Sequence, residues 1–522
     1  MAMASGLRYG LAAVPGRWWF LICGILLQIS FDFTNAFLLL SPSIVKKNHF
    51  DNYQANGLQV IADSFSNFSI FVAVWFSIVL EARYYAKNSF IARFGTHLSI
   101  VVAAVLITVC YFLIWMNLED KIKEKVYLHF LYTFALSHAS SLVNTANIIV
   151  AYLNFPNQKG AIVCLLQSYY LLNGYVFQQL NKYFFDGHTG AFLWVIVATP
   201  VVIGLLWVFF LTFRLGVPEE AEVDQLFTIS FFVCACIAAC IIFILSVIDN
   251  TFDFSKSHIW VPIFSDVVIF LAIVIPVIYQ VWVTAVKDDP AAVAAAAAAA
   301  RDASDAAVDD AAAVAAGENE GVIGSFRALL AQFATIRFWA FAFACVFPMA
   351  SKEYLMEKLH EFGKDGNLSD REVKNLMSLS ATCAFMMCLA VGWSSDVVQR
   401  RFGLGRPWFL VLSGMTMVVG QALCMKGIFA VGAPFVAAAY GGFSALLPTV
   451  AGEVYNIKYV STVLSPIEIV TAGFAFGLGF VPWMKHHEYG CLTYLILCLV
   501  GVVGSVVFGW LTQVAIYNPL HV

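Results

Sequence analysis

Charge is what this chain has least of. Only 12% of its 522 residues are Asp, Glu, Lys or Arg, against about a quarter in soluble globular proteins. That shortage excludes an ordinary water-soluble domain. Basic clusters are missing as well: the net charge is −4 and no strongly basic tail occurs, so the phosphate-neutralising Lys and Arg of a nucleic-acid binder are not there. A GxxxxGK phosphate loop is absent, which argues against ATP-driven pumping by this chain. No His/Asp or Cys/His cluster marks a catalytic site at a membrane surface, so no enzyme activity and no cofactor is expected. The polar loops lack cysteine: all twelve cysteines fall in apolar segments, and a disulfide framework is not expected. Cys234, Cys236 and Cys240 have no adjacent His or carboxylate and read as packing residues, with no metal site.

What the chain has is apolar sequence. Hydrophobic residues make up 61% and the mean hydropathy is +0.81. A bilayer core of about 30 Å takes about 20 apolar residues per helix. Runs of that size predict helices near 18–41, 58–80, 98–117, 128–153, 160–181, 191–213, 227–249, 259–286, 337–357, 375–395, 407–424, 428–451, 460–483 and 491–514. The expected fold is all-α: a polytopic membrane protein of about fourteen transmembrane helices. The first run is too long for a signal-peptide core and reads as a retained helix. An even count puts both termini on one side. Arg8, Arg17, Arg83, Arg93, Arg214, Arg301, Arg327, Arg337, Arg400, Arg401 and Arg406 then share the cytoplasmic side, with Arg371 opposite. Lysines are less polarised. The plasma membrane and an organelle membrane fit equally.

Segment 287–326 interrupts the pattern. Its alanine runs carry Asp302, Asp305, Asp309 and Asp310, which are costly in lipid, so it reads as an Ala-rich cytoplasmic linker. It separates a front block of eight helices from a back block of six. Asn367-Leu368-Ser369 lies in a polar outer segment and matches a glycosylation acceptor.

Ionisable groups in lipid are expensive and are functional candidates by default. The deepest are Asp32, Asp63, His138, Asp266, Lys352, Glu353 and Glu468. Acidic groups dominate, which tilts the expectation toward a neutral or cationic solute, or toward proton coupling through a carboxylate. Glu468 follows Pro466 early in an apolar helix and could take up a proton during transport, or could instead make a structural hydrogen bond to a neighbouring helix. Asp32 and Asn35 share a face of the first helix. The fourth helix carries Ser137, His138, Ser140, Ser141, Asn144 and Asn147; the fifth answers with Gln167, Tyr170, Gly174 and Gln178. These polar stripes line a solute path or glue helices together, and the sequence weighs the two about evenly.

Gly392-Trp393-Ser394-Ser395-Asp396, followed by Arg400-Arg401, resembles the GxxxD…RR signature of major facilitator transporters. Asn144-Thr145-Ala146-Asn147 with Asn154-Phe155-Pro156-Asn157-Gln158-Lys159-Gly160 resembles the NTG…NFPxxRG stretch of their nodulin-like branch, with Ala146 for Gly and Lys159 for Arg. Arg406-Pro407, Tyr440-Gly441-Gly442, Pro448 and Gly452-Glu453-Val454-Tyr455 are similar to its later motifs. The resemblance implies two six-helix bundles, 1–214 and 327–522, around a central cavity, with alternating access. The extra pair, 215–286, would be inserted between them, making Asp266 peripheral (a 6+2+6 plan).

The expected function is secondary active transport of a small solute, with a proton or other cation gradient as driver. Asp32, Asn35, Asp63, His138, Asn144, Gln167, Tyr170, Gln178, Glu353 and Glu468 are candidates for the solute or ion path. Gly392, Asp396, Arg400 and Arg401 are candidates for a cytoplasmic gate. The alternatives are a non-transporting receptor or sensor on a transporter scaffold and, further off, a membrane-embedded enzyme.

Overall fold

A bilayer core offers backbone groups no water, so a chain this apolar must close its hydrogen bonds within helices. The computed structural model describes residues 16–31, 33–65, 68–85, 90–122, 125–155, 158–185, 189–213, 221–252, 260–287, 331, 333–365, 368–455, 459–479 and 487–513. Among these, sixteen α-helices follow one another with no strand. The front block comprises α1 (Gly16–Ser30), α2 (Phe33–Asn48), α3 (Asn52–Phe65), α4 (Ile70–Tyr85), α5 (Phe90–Leu118), α6 (Val126–Asn154), α7 (Lys159–Leu180) and α8 (Thr189–Phe213). A π-helical turn, Asn181–Phe185, continues α7. Next come α9 (Ala221–Phe252) and α10 (Trp260–Lys287). The back block comprises α11 (Ile336–Asp365), α12 (Asp370–Phe402), α13 (Pro407–Met425), α14 (Phe429–Val454), α15 (Val460–Gly479) and α16 (His487–Thr512).

Ten helices among the described residues are long and apolar enough to cross a membrane. Trp18–Ser30, Phe71–Leu80 and Val460–Ala475 are shorter apolar helices. The chain is therefore a multi-pass membrane protein, and length and composition establish ten crossings among the described residues. Two predicted spans are each broken in two. The run 18–41 divides between α1 and α2, and the run 58–80 divides between α3 and α4. The linker beyond Lys287 and the acceptor Asn367 lie outside the described residues.

Two apolar cores form. One stays in the front block and includes Phe20, Leu27, Phe76, Ile107, Leu136 and Trp207, with Phe20 and Trp207 edge to face at 5.3 Å. The other joins Trp18 and Leu166 of the front to Phe231, Phe341, Phe385 and Phe443. It runs along the seam where α7 packs against α12 and α14, and α9 packs against α12. A second seam sets α3 and α4 against α15. Gly392 sits where α12 meets α7. A Cβ there would collide with the Cys164 side chain, so glycine is what allows the approach. The helices α9 and α10 lie on this first seam. Tyr175 of α7 and Ser265 of α10 share a hydrogen bond of 2.8 Å, one residue from Asp266.

Candidate functional site

A broken helix leaves carbonyls and N–H groups without partners in the middle of the bundle. Distant side chains fill these vacancies. At the end of α1, the Ser30 hydroxyl donates to the Leu26 and Leu27 carbonyls at 2.9 and 3.2 Å. Asn173 of α7 donates to the Ile29 carbonyl, and Ser140 of α6 donates to the Phe31 carbonyl at 3.4 Å. Just ahead of α4, the Phe68 N–H donates to the Glu468 carboxylate at 2.9 Å and the Ser69 N–H to the Ser141 hydroxyl at 2.7 Å. Glu468 is buried. It sits at the positive end of the α4 dipole, where a carboxylate is favoured, and it ties the back block to the front.

Beside the break in α1, Asn144 accepts from Gln28 at 3.0 Å and from Gln167 at 2.9 Å. One amide oxygen thus joins α1, α6 and α7, and all three side chains are buried. Asn147 donates to the Gly24 carbonyl at 3.4 Å, while its own amide oxygen has no partner among the described residues. Of the predicted candidates and polar stripes, then, Ser140, Ser141 and Glu468 hold the broken helices, and Asn144 with Gln167 forms a neutral cluster between them. Tyr170 is buried nearby on α7, one turn from Gln167. Gln178 is half-buried toward the far end of α7.

His138 stands apart. Its Nδ1 bonds the Phe134 carbonyl at 2.8 Å, and its ring lies among Phe134, Phe65 and Phe71 at 4.1, 5.1 and 5.4 Å. Asp32 lies outside the described residues. Asn35 and Asp63 fall on α2 and α3, with side chains outside the description. Glu353 is half-buried on α11 and accepts from Lys352 at 3.1 Å.

One end of the α7–α12 seam is closed by charge. Asp396 is buried and accepts from Arg406 Nε at 3.0 Å and Nη2 at 2.6 Å. Arg406 Nη1 also pairs with Glu453 of α14. Gly160, at the start of α7, lies against this pair, and a Cβ there would run into both Asp396 and Arg406. Tyr152 of α6 donates to the Pro448 and Thr449 carbonyls of α14 at 2.9 and 3.2 Å. Arg400 and Arg401 are exposed. The arginine against Asp396 is Arg406, which the sequence places on the cytoplasmic side and in a motif but not in the gate. A usable signal was its position just before Pro407, which starts α13 and returns the chain over the end of α12.

The opposite end carries a second cluster that sequence reasoning missed. Lys182, on the π-helical turn, bonds both carboxylate oxygens of Asp249 at 2.9 and 3.0 Å and the Asn375 amide oxygen at 3.1 Å. Tyr183 donates to Asp249 at 3.1 Å, and Asn375 donates to the Asp249 carbonyl at 3.3 Å. Asp249 is buried, its side chain 3% exposed. Three helices meet here: the extension of α7, α9 and α12. Helix α9 also touches the Asp396 end, where Thr228 bonds the buried Gln158. From Thr228 to Asp249 it rises about 32 Å, close to the thickness of a bilayer core.

The arrangement has counterparts of known structure. A major facilitator superfamily proton:xylose symporter, XylE, bound to 6-bromo-6-deoxy-D-glucose, is 12% identical with a TM-score of 0.53, covering 96% of this chain and 95% of that one. A partially occluded, inward-open form of the xylose transporter XylE from E. coli is 12% identical with a TM-score of 0.52, covering 96% and 97%. At that identity the likeness defines the fold, which is the major facilitator fold. The Nodulin-like family pattern matches residues 17–281, half of the chain, and the chain belongs to that family. No curated protein matches the sequence.

Proposed function

We propose that the protein is a secondary transporter that carries a small polar solute across a membrane by alternating access. The observation that carries this reading is the pair of charged clusters, Asp396–Arg406–Glu453 and Lys182–Asp249–Asn375, at opposite ends of one seam. The broken helices α1/α2 and α3/α4 and the Gln28–Asn144–Gln167 cluster lie between them. Discontinuous helices near the middle of a bundle are where transporters place solute and ions. The Lys182–Asp249–Asn375 cluster, which joins front to back, would release as its end opens and re-form as it closes; at the other end Gly160 and Tyr152 of the front block would part from the Asp396–Arg406 pair and the α14 carbonyls. The arginine distribution puts the Asp396 end on the cytoplasmic side. The front and back blocks act as the two rocking units.

Proton coupling would run through Glu468. Its carboxylate crosses from the back block to the N-terminus of α4, so protonation weakens a tie that must break for the blocks to separate. The experiment is uptake into proteoliposomes from pooled labelled amino acids, monocarboxylates, hexoses and quaternary amines. At least one pool exchanges faster than in empty liposomes, and an inward proton gradient raises its accumulation. In Glu468→Gln, exchange persists and the gradient no longer helps. Exchange no faster than in empty liposomes for every pool contradicts transport.

A further inference from the structure

Lys352 lies near the middle of α11. Among the described residues it is the one Lys or Arg near the middle of a helix and outside the two charged clusters. Its direction follows from its contact: the ammonium lies against the ring of Tyr440 on α14, itself buried, so the lysine points into the bundle.

Helix α11 is packed on several sides: Tyr354 on Tyr494 of α16 at 4.6 Å, Phe347 on Phe474 of α15 at 5.5 Å, and Ser351 bonded to Gln421 of α13. The ammonium of Lys352 stands 4.4 Å from the ring centroid of Tyr440 on α14. Yet the Lys352 and Glu353 side chains keep 22% and 18% of their surface exposed. An ammonium that lies against a buried ring and still keeps exposed surface is placed where a solute could reach it. Charged side chains in such places mark substrate paths.

Resting on the transport reading above, we infer that Lys352, Glu353 and Tyr440 form the recognition site for a zwitterionic solute of the amino-acid class. Lys352 takes the solute carboxylate, in place of its present bond to Glu353. The freed Glu353 carboxylate takes the solute ammonium, and the face of the Tyr440 ring, which now supports the lysine ammonium, offers a second cation contact. Binding thus exchanges one internal ion pair for two, and no unpaired charge is left in the interior. The chemistry departs from the neutral or cationic solute expected from the excess of acidic residues, because the other acidic group near the path, Glu468, holds the start of α4.

Counterflow exchange with the four pools tests this, using full-length protein in proteoliposomes. The amino-acid pool exchanges fastest in wild type. Lys352→Gln lowers that exchange about tenfold or more, as expected for loss of a charged hydrogen bond. Lys352→Arg, which keeps the charge, retains most of it and serves as the folding control. Glu353→Gln shifts preference from amino acids toward monocarboxylates. Exchange of hexoses or quaternary amines that Lys352→Gln leaves unchanged overturns the zwitterion assignment and leaves transport standing. Exchange of no pool overturns both.

Discussion

A buried carboxylate needs a partner it cannot lose, and Asp396 shows how one is supplied. Helix α12 ends at Gly403, whose N–H bonds the Gln399 carbonyl at 3.0 Å. The chain then doubles back, so that Arg406 lies over Asp396 although ten residues separate them. Arg400 and Arg401 are closer in sequence to Asp396 but exposed. The GxxxD pattern was legible in the sequence; the arginine that completes it depends on the turn at Gly403, which composition and hydropathy do not report. Arg406→Ala leaves Asp396 without the two hydrogen bonds it accepts and should cost about 3–5 kcal/mol, seen as a lower Tm. Arg400→Ala should change stability by less than about 0.5 kcal/mol. Equal Tm losses in the two variants would show that the buried pair is not what stabilises this end. At the seam, Gly392→Val forces a side chain into Cys164. It should cost at least about 1–3 kcal/mol by overpacking, again read as Tm.

Helices are where the sequence was read best and also where it misled. Apolar runs locate every described helix of the back block to within several residues. They merge α1 with α2 and α3 with α4, because the residues flanking the breaks, Phe31 and Phe68, are themselves apolar and buried. The groups that make a break tolerable come from elsewhere: Ser140 and Ser141 from α6, Asn173 from α7, Glu468 from α15. No window along one helix can see them. Ser140, Ser141 and Glu468 bond broken-helix backbone, while Asn144 and Gln167 bond each other across α6 and α7. Glu468→Gln keeps an oxygen for the Phe68 N–H and should leave Tm within about 1 kcal/mol of wild type. Glu468→Leu orphans that N–H and should cost about 1–3 kcal/mol. If both variants melt alike, the Glu468–Phe68 tie adds nothing to the fold.

At the scale of the molecule, α9 changes the picture drawn from sequence. The sequence places α9 and α10 between two bundles but not against any particular helix, because hydropathy carries no information on which helices are neighbours. Helix α9 runs the length of the α7–α12 seam and supplies Asp249 to the charged cluster at one end. Signals for that role were present but weak: Asp249 and Lys182 both lie at the ends of apolar runs, where a charge is unremarkable. Asp249→Asn removes the counter-charge from Lys182 and should destabilise the closed form of that end by about 3–5 kcal/mol.

Alternating access is the central claim, and it makes the two ends reciprocal: whatever frees one favours closure of the other. Hydrogen–deuterium exchange by mass spectrometry on wild type and Asp249→Asn, in lipid nanodiscs, reads both ends at once. The account predicts faster exchange in 178–185 and 372–378 and slower exchange in 158–162 and 396–406. Faster exchange confined to the first pair of segments, with the Asp396 end unchanged, would make the two clusters independent local ties and contradict the account.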